Sequence, residues 1–91
     1  MAEITELQTK VMCFVKWWAD NEKTIIPQRE IIIHMEEDGT KGYITIDVIE
    51  RLIKKGYIRK AYSPQQNRTF YVMLRTITEE QYGTSIYQTG D

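Results

Sequence analysis

Between residues 51 and 75 stand Arg51, Lys54, Lys55, Arg59, Lys60, Arg68 and Arg75, seven cations with no acidic residue among them. Side chains of this type neutralise phosphates and release the counterions that a polyanion holds, so the block is the chemistry of a polyanion binder. The rest of the chain has the opposite sign. Residues 1–50 carry five Lys or Arg against ten Asp or Glu, and residues 76–91 carry only Glu79, Glu80 and Asp91. The formal net charge of −1 therefore hides a basic segment. Binding answers to the local potential of a surface and not to the whole-chain charge.

Other chemistry finds little support. There is no nucleophile–base motif, no Gly-rich phosphate loop and no carboxylate pair in a pocket-forming pattern, so no catalytic residue and no cofactor is expected. His34 is the only histidine and lacks the companions of a zinc centre, so no metal is expected and a surface or packing role is its default. Cys13 is the only cysteine, which excludes an internal disulfide and leaves a small hydrophobe. Glu36-Glu37-Asp38-Gly39 lacks the alternating ligands of a calcium loop and reads as a solvated turn.

The elements that position the basic block follow from spacing. At 91 residues and 42% apolar content the chain is long enough for one core. No apolar run approaches the ~20 residues of a membrane span, and Met1-Ala2-Glu3 has neither part of a signal peptide, so a cytoplasmic protein without a membrane partner is expected. Thr5 with Gln8 is a capping-box pair, and Leu7, Val11, Phe14, Val15 and Trp18 recur at helical spacing, which predicts a first helix over 5–21. Ile25-Ile26 before Pro27 is a short strand, and Pro27 suits the first position of a second helix that runs to Glu36 and stops at Gly39. A third helix starts at Thr40 or Gly42 and ends at Lys55 before Gly56. Its apolar arc is Ile44, Ile46, Val48, Ile49, Leu52 and Ile53, and its other side holds Tyr43, Asp47, Glu50, Arg51 and Lys54. Ile58–Tyr62 and Thr69–Arg75 are strands, the second with Phe70, Val72 and Leu74 on one face, and the turn cluster 63–68 makes them a β-hairpin. The fold class is α+β, with residues 1–76 as the domain and 77–91 as a tail, partly flexible or in contact with a dimer partner.

Pro27-Gln28-Arg29-Glu30-Ile31 is similar to the opening of helix 2 in LexA-type and MarR-type DNA-binding domains. Ile49, Leu52, Lys55, Gly56, Tyr57 and Ile58 resemble the junction where a recognition helix ends and a wing begins. The whole order, three helices plus a small antiparallel β-hairpin wing, resembles a winged helix-turn-helix over residues 5–75. The resemblance implies a small regulator that binds double-stranded DNA. Helix 3 would enter the major groove through Thr40, Lys41, Tyr43, Thr45, Asp47 and Arg51, and Arg59, Lys60, Gln66, Asn67 and Arg68 of the wing would touch phosphate or minor groove.

Each sharp reading has a plain counterpart. Asp47 with Arg51 and Glu50 with Lys54 are favourable i,i+4 pairs, each worth about 0.2–0.5 kcal/mol to the helix, which takes two of the seven cations out of use. Trp17 and Trp18 point about 100° apart on helix 1, so only Trp18 fits the core. Trp17, beside Cys13, either covers the core edge or makes a homodimer interface, and Tyr82, Ile86 and Tyr87 of the tail serve either role. The carboxylates of helix 3 and the acidic first half favour a second function class. That class is a winged helix that docks on a protein partner without binding DNA, as a phage or plasmid accessory factor would. A small-molecule sensor has the weakest case, because so small a core leaves little room for an effector.

Overall fold

Gln8 donates its backbone N–H to Thr5 Oγ1, and its side-chain Oε1 accepts the Thr5 N–H, both at 3.1 Å. This reciprocal pair starts α1 (Glu6–Glu22) where its spacing predicts, and Lys23 ends it in the left-handed region. The computed structural model describes residues 4–75. After α1 come β1 (Ile26–Pro27), α2 (Gln28–Glu37), α3 (Gly42–Lys54), β2 (Ile58–Ser63) and β3 (Arg68–Met73). Pro27 is the cap before α2 and belongs to β1, not to the first helical turn as expected, a shift of one residue.

Both following helices close in the same way. Gly39 N–H donates to Glu36 O and Thr40 N–H to Met35 O, while Gly56 N–H donates to Ile53 O and Tyr57 N–H to Leu52 O. This 5→2 and 6→1 pairing is the Schellman motif, which needs a left-handed residue; the φ angles of +88° at Gly39 and +82° at Gly56 supply it. The second of these stops turns the chain from α3 straight into the wing.

The sheet is antiparallel in the order β1-β3-β2, so β3 is its central strand. β2 pairs with β3 from Ile58↔Met73 to Ser63↔Arg68, and four residues, Pro64–Asn67, make the turn, with Asn67 at φ +54°. One face of this sheet lies on the helices. The expected grouping of Phe70, Val72 and Leu74 is real, but the core takes the alternate set: Tyr71 is 1% exposed and Met73 packs on the core, whereas Leu74 is 54% exposed. Tyr71 can be buried because Gln28 Nε2 donates to its hydroxyl oxygen at 3.0 Å.

The core joins Val11, Met12 and Val15 of α1, Ile31 and Met35 of α2, and Val48, Ile49 and Leu52 of α3 to Ile26, Tyr57, Ile58 and Tyr71. Leu52 is fully enclosed, and truncating such a residue to Ala costs about 2–5 kcal/mol. Lys55 Nζ donates to Gln8 Oε1 at 2.8 Å, which ties the end of α3 to the start of α1. Among the described residues no helix is long and apolar enough to cross a membrane.

Candidate nucleic-acid interface

The exposed side of α3 starts at Lys41, the residue before its first turn, and continues through Tyr43, Asp47, Glu50, Arg51 and Lys54. Tyr43 is 72% exposed, an aromatic ring held away from any core. Thr40 is half-buried and spends its N–H on the end of α2. Thr45 departs from expectation: it is fully buried, with its hydroxyl 3.4 Å from Lys41 O, and it shares a stripe with Val48, Ile49 and Leu52. It belongs to the core side of α3 and is not placed to touch a ligand. Ile46, expected in the apolar arc, is half-buried and outside the core cluster.

The wing carries its charges on two faces. Side chains of directly paired residues share a face, so Arg59, Val72, Ala61, Phe70, Ser63 and Arg68 lie on one side, and Lys60 lies on the other with Tyr71. The seven cations of 51–75 therefore do not form one surface. Arg51 pairs with Asp47 at 3.0 Å as expected. Glu50 does not pair with Lys54 as expected: its carboxylate lies 3.8 Å from Lys60 Nζ across the α3–wing junction. Lys55 is held by Gln8, and the Arg75 guanidinium lies 4.1 Å over the Tyr57 ring. Lys54, Arg59 and Arg68 remain exposed with no ion pair among the described residues.

The tip itself is ordered by local bonds. Gln66 N–H donates to Ser63 Oγ at 3.3 Å, and Tyr62 OH donates to Asn67 Oδ1. Gln66, Asn67 and Arg68 are all exposed. Beside them lies a pair that sequence reasoning left out. Gln28 and Arg29, at the start of α2, share a cleft of about 210 Å³ with Asn67, Arg68, Thr69 and Pro27. The segment Pro27-Gln28-Arg29 was legible as a helix start, but only the pairing of β1 with β3 shows that this start abuts the wing.

On the flank of α1, Trp17 is 47% exposed and stacks on Phe14 at 6.1 Å, and Phe14 stacks on His34 at 4.0 Å. His34 thus packs as an aromatic plate. Cys13 is half-buried on the edge of the core. Tyr82, Ile86 and Tyr87 lie outside the described residues.

No family model and no curated protein matches the sequence. Three solved chains match the fold. MepR, a transcription regulator of the Staphylococcus aureus multidrug efflux pump MepA, superposes with a TM-score of 0.59 at 15% identity, over 97% of this chain and 57% of that one. Two mutant structures of Lactococcus lactis ZitR superpose with TM-scores of 0.57 and 0.56 at 11% and 10% identity, over 98% and 99% of this chain. The chain spans only 57% and 53% of the lengths of the solved chains it matches. The three helices and three-stranded antiparallel sheet of the described residues, with this likeness, make the chain a winged helix by fold.

Proposed function

We propose that this chain is a small transcription regulator that binds double-stranded DNA, acting in the cytoplasm by binding and not by catalysis. The observation that carries the reading is the set of groups the winged-helix frame leaves uncovered. These are Lys41 and Tyr43 at the start of α3, Lys54 at its end, and Arg59, Gln66, Asn67 and Arg68 on the wing. Cations of this kind neutralise phosphates, and the amides and guanidiniums carry donors suited to base edges. The likeness in fold to MepR, a transcription regulator, supports the same reading.

A homodimer is part of this proposal, with Cys13 and Trp17 on the α1 flank and Tyr82, Ile86 and Tyr87 beyond the described residues as its contacts. Two-fold symmetry in the protein would match a two-fold DNA site. Asp47 and Arg51 act as one neutralised pair in the middle of α3, so base reading falls to the helix end and the wing.

That neutralisation also favours the second reading, docking on a protein partner, because two of the seven cations are already held by carboxylates of α3. A gel shift with a random duplex pool at low salt, run beside light scattering, separates the two. The DNA reading predicts a shift that fades steeply with salt and disappears on replacing Arg59, Lys60 and Arg68 with Glu in a protein that stays folded. No shift, together with one protein captured in a pull-down, selects the docking module.

A further inference from the structure

β1 covers β3 only at Ile26↔Tyr71 and Pro27↔Phe70, and the chain then turns into α2 at Gln28. Arg68 and Thr69 therefore run past the end of β1 with no strand on that edge. The opening residues of α2 face them across the cleft of about 210 Å³. Its lining includes two arginines, Arg29 and Arg68, and no acidic residue. Arg68 has no ion pair among the described residues, and the Arg29 contact to neighbouring Glu30 is long, 3.9 Å, with the Arg29 side chain 62% exposed. Gln28 carries no charge, and its side-chain N–H is committed to the Tyr71 hydroxyl.

Two like charges facing one cleft repel, and an anion seated between them removes that repulsion. Each guanidinium also presents a planar fork that matches two phosphate oxygens. We propose that this cleft seats one backbone phosphate of duplex DNA between Arg29 and Arg68. The strand is then followed along the wing tip and the start of α2, away from the carboxylates in the middle of α3. The proposal rests on the DNA-binding reading above and adds to it Arg29, a cation outside the charge block of 51–75.

The test is fluorescence anisotropy of a labelled random-sequence duplex over a salt series. It compares the wild type, Arg29→Gln with Arg68→Gln combined, the corresponding Lys pair, and Lys23→Gln as a distant control. The Gln pair should lower the magnitude of the log–log salt slope by about 0.9, one phosphate, and weaken binding equally across sequences. The Lys pair should restore the slope, and Lys23→Gln should leave it unchanged. Both arginines are exposed, so thermal melts of all variants should match the wild type. An unchanged slope in the folded Gln pair overturns the cleft assignment and leaves DNA binding standing. Absence of salt-dependent binding by the wild type overturns the reading beneath it as well. Release of the duplex from the wild type by inorganic phosphate at constant ionic strength, with the Gln pair insensitive, would support the assignment, because free and backbone phosphate then compete for this cleft.

Discussion

Lys60 Nζ of the wing stands 3.8 Å from the Glu50 carboxylate of α3, with both side chains about half exposed at 52% and 50%. This contact joins α3 to the wing, the two elements of the proposed DNA surface, and it takes from the wing the cation that faces α3. Glu50→Gln should therefore tighten duplex binding at low salt, because it releases Lys60 and removes a carboxylate from the phosphate track. The salt slope should steepen by up to about 0.9, and Lys60→Gln alone should change it little. Anisotropy of both variants reads the difference; weaker binding by Glu50→Gln would show that the pair positions the wing instead.

The Gln28–Tyr71 bond fixes the start of α2 to the central strand. Tyr71→Phe leaves the Gln28 donor without its partner and should cost about 1–2 kcal/mol in urea unfolding. Burial pushes the Tyr71 hydroxyl above its usual value of 10.0, against a smaller lowering by the Gln28 donor. A group raised in the folded state contributes fully below its unfolded value and loses that contribution as pH rises through the folded one. Wild-type stability should therefore fall above pH 10 more steeply than that of Tyr71→Phe.

Gln8 serves two helices through one oxygen, which accepts both the Thr5 N–H and Lys55 Nζ. Thr5→Ala removes only the cap and should cost about 1 kcal/mol. Gln8→Ala keeps the bond of its backbone N–H to Thr5 Oγ1 but removes the reciprocal half of the box and the anchor of the α3 end, so it should cost at least as much. A double-mutant cycle between Gln8 and Lys55 should give a coupling of at least about 0.5 kcal/mol, and a value near zero would reduce Gln8 to a capping residue.

Lys10 and Asp38 close the far end of the α1–α2 contact at 2.8 Å. The Lys10 hydrogen bond holds the Asp38 carboxyl below its ordinary 3.8, and the same bond holds the Lys10 ammonium above 10.5. The sign for Asp38 is that of a depressed acid: its contribution is present above pH 3.8 and is lost as pH falls through the lower folded value. The pair is solvent-screened, so Asp38→Asn should cost less than about 1 kcal/mol at neutral pH and nothing in strong acid. Thermal melts at both pH values measure this.

The helix ends were legible because they are local: Thr5 with Gln8, Gly39 and Gly56 specify their caps within a few residues. The wing's existence was equally plain, but its sidedness was not. Period-two spacing separates Phe70, Val72 and Leu74 from Tyr71 and Met73, yet which set goes inward depends on Gln28, 43 residues away from Tyr71, meeting a buried hydroxyl. Position in the resemblance puts Thr45 at the groove end, although its spacing to Val48 and Leu52 marks the core stripe. Glu50 was matched to Lys54 because i,i+4 pairs are visible in one helix, whereas the Lys60 partner exists only once β2 is laid against α3. Arg29 shares its cleft with Arg68 through a sheet edge, which no local pattern encodes.

The most direct measurement is the salt dependence of wild-type binding to a random-sequence duplex. At the start of α2, along Lys41–Lys54 and on the wing, Arg29, Lys41, Lys54, Arg59 and Arg68 are the exposed cations outside the Asp47–Arg51 and Glu50–Lys60 pairs. A linear fall of log affinity with log salt is predicted, with a slope no steeper than about −3.6 per protomer, 0.9 for each of four phosphates, one of them shared by Arg29 and Arg68. Binding that is absent at low salt, or that does not respond to salt, would contradict DNA recognition through this surface.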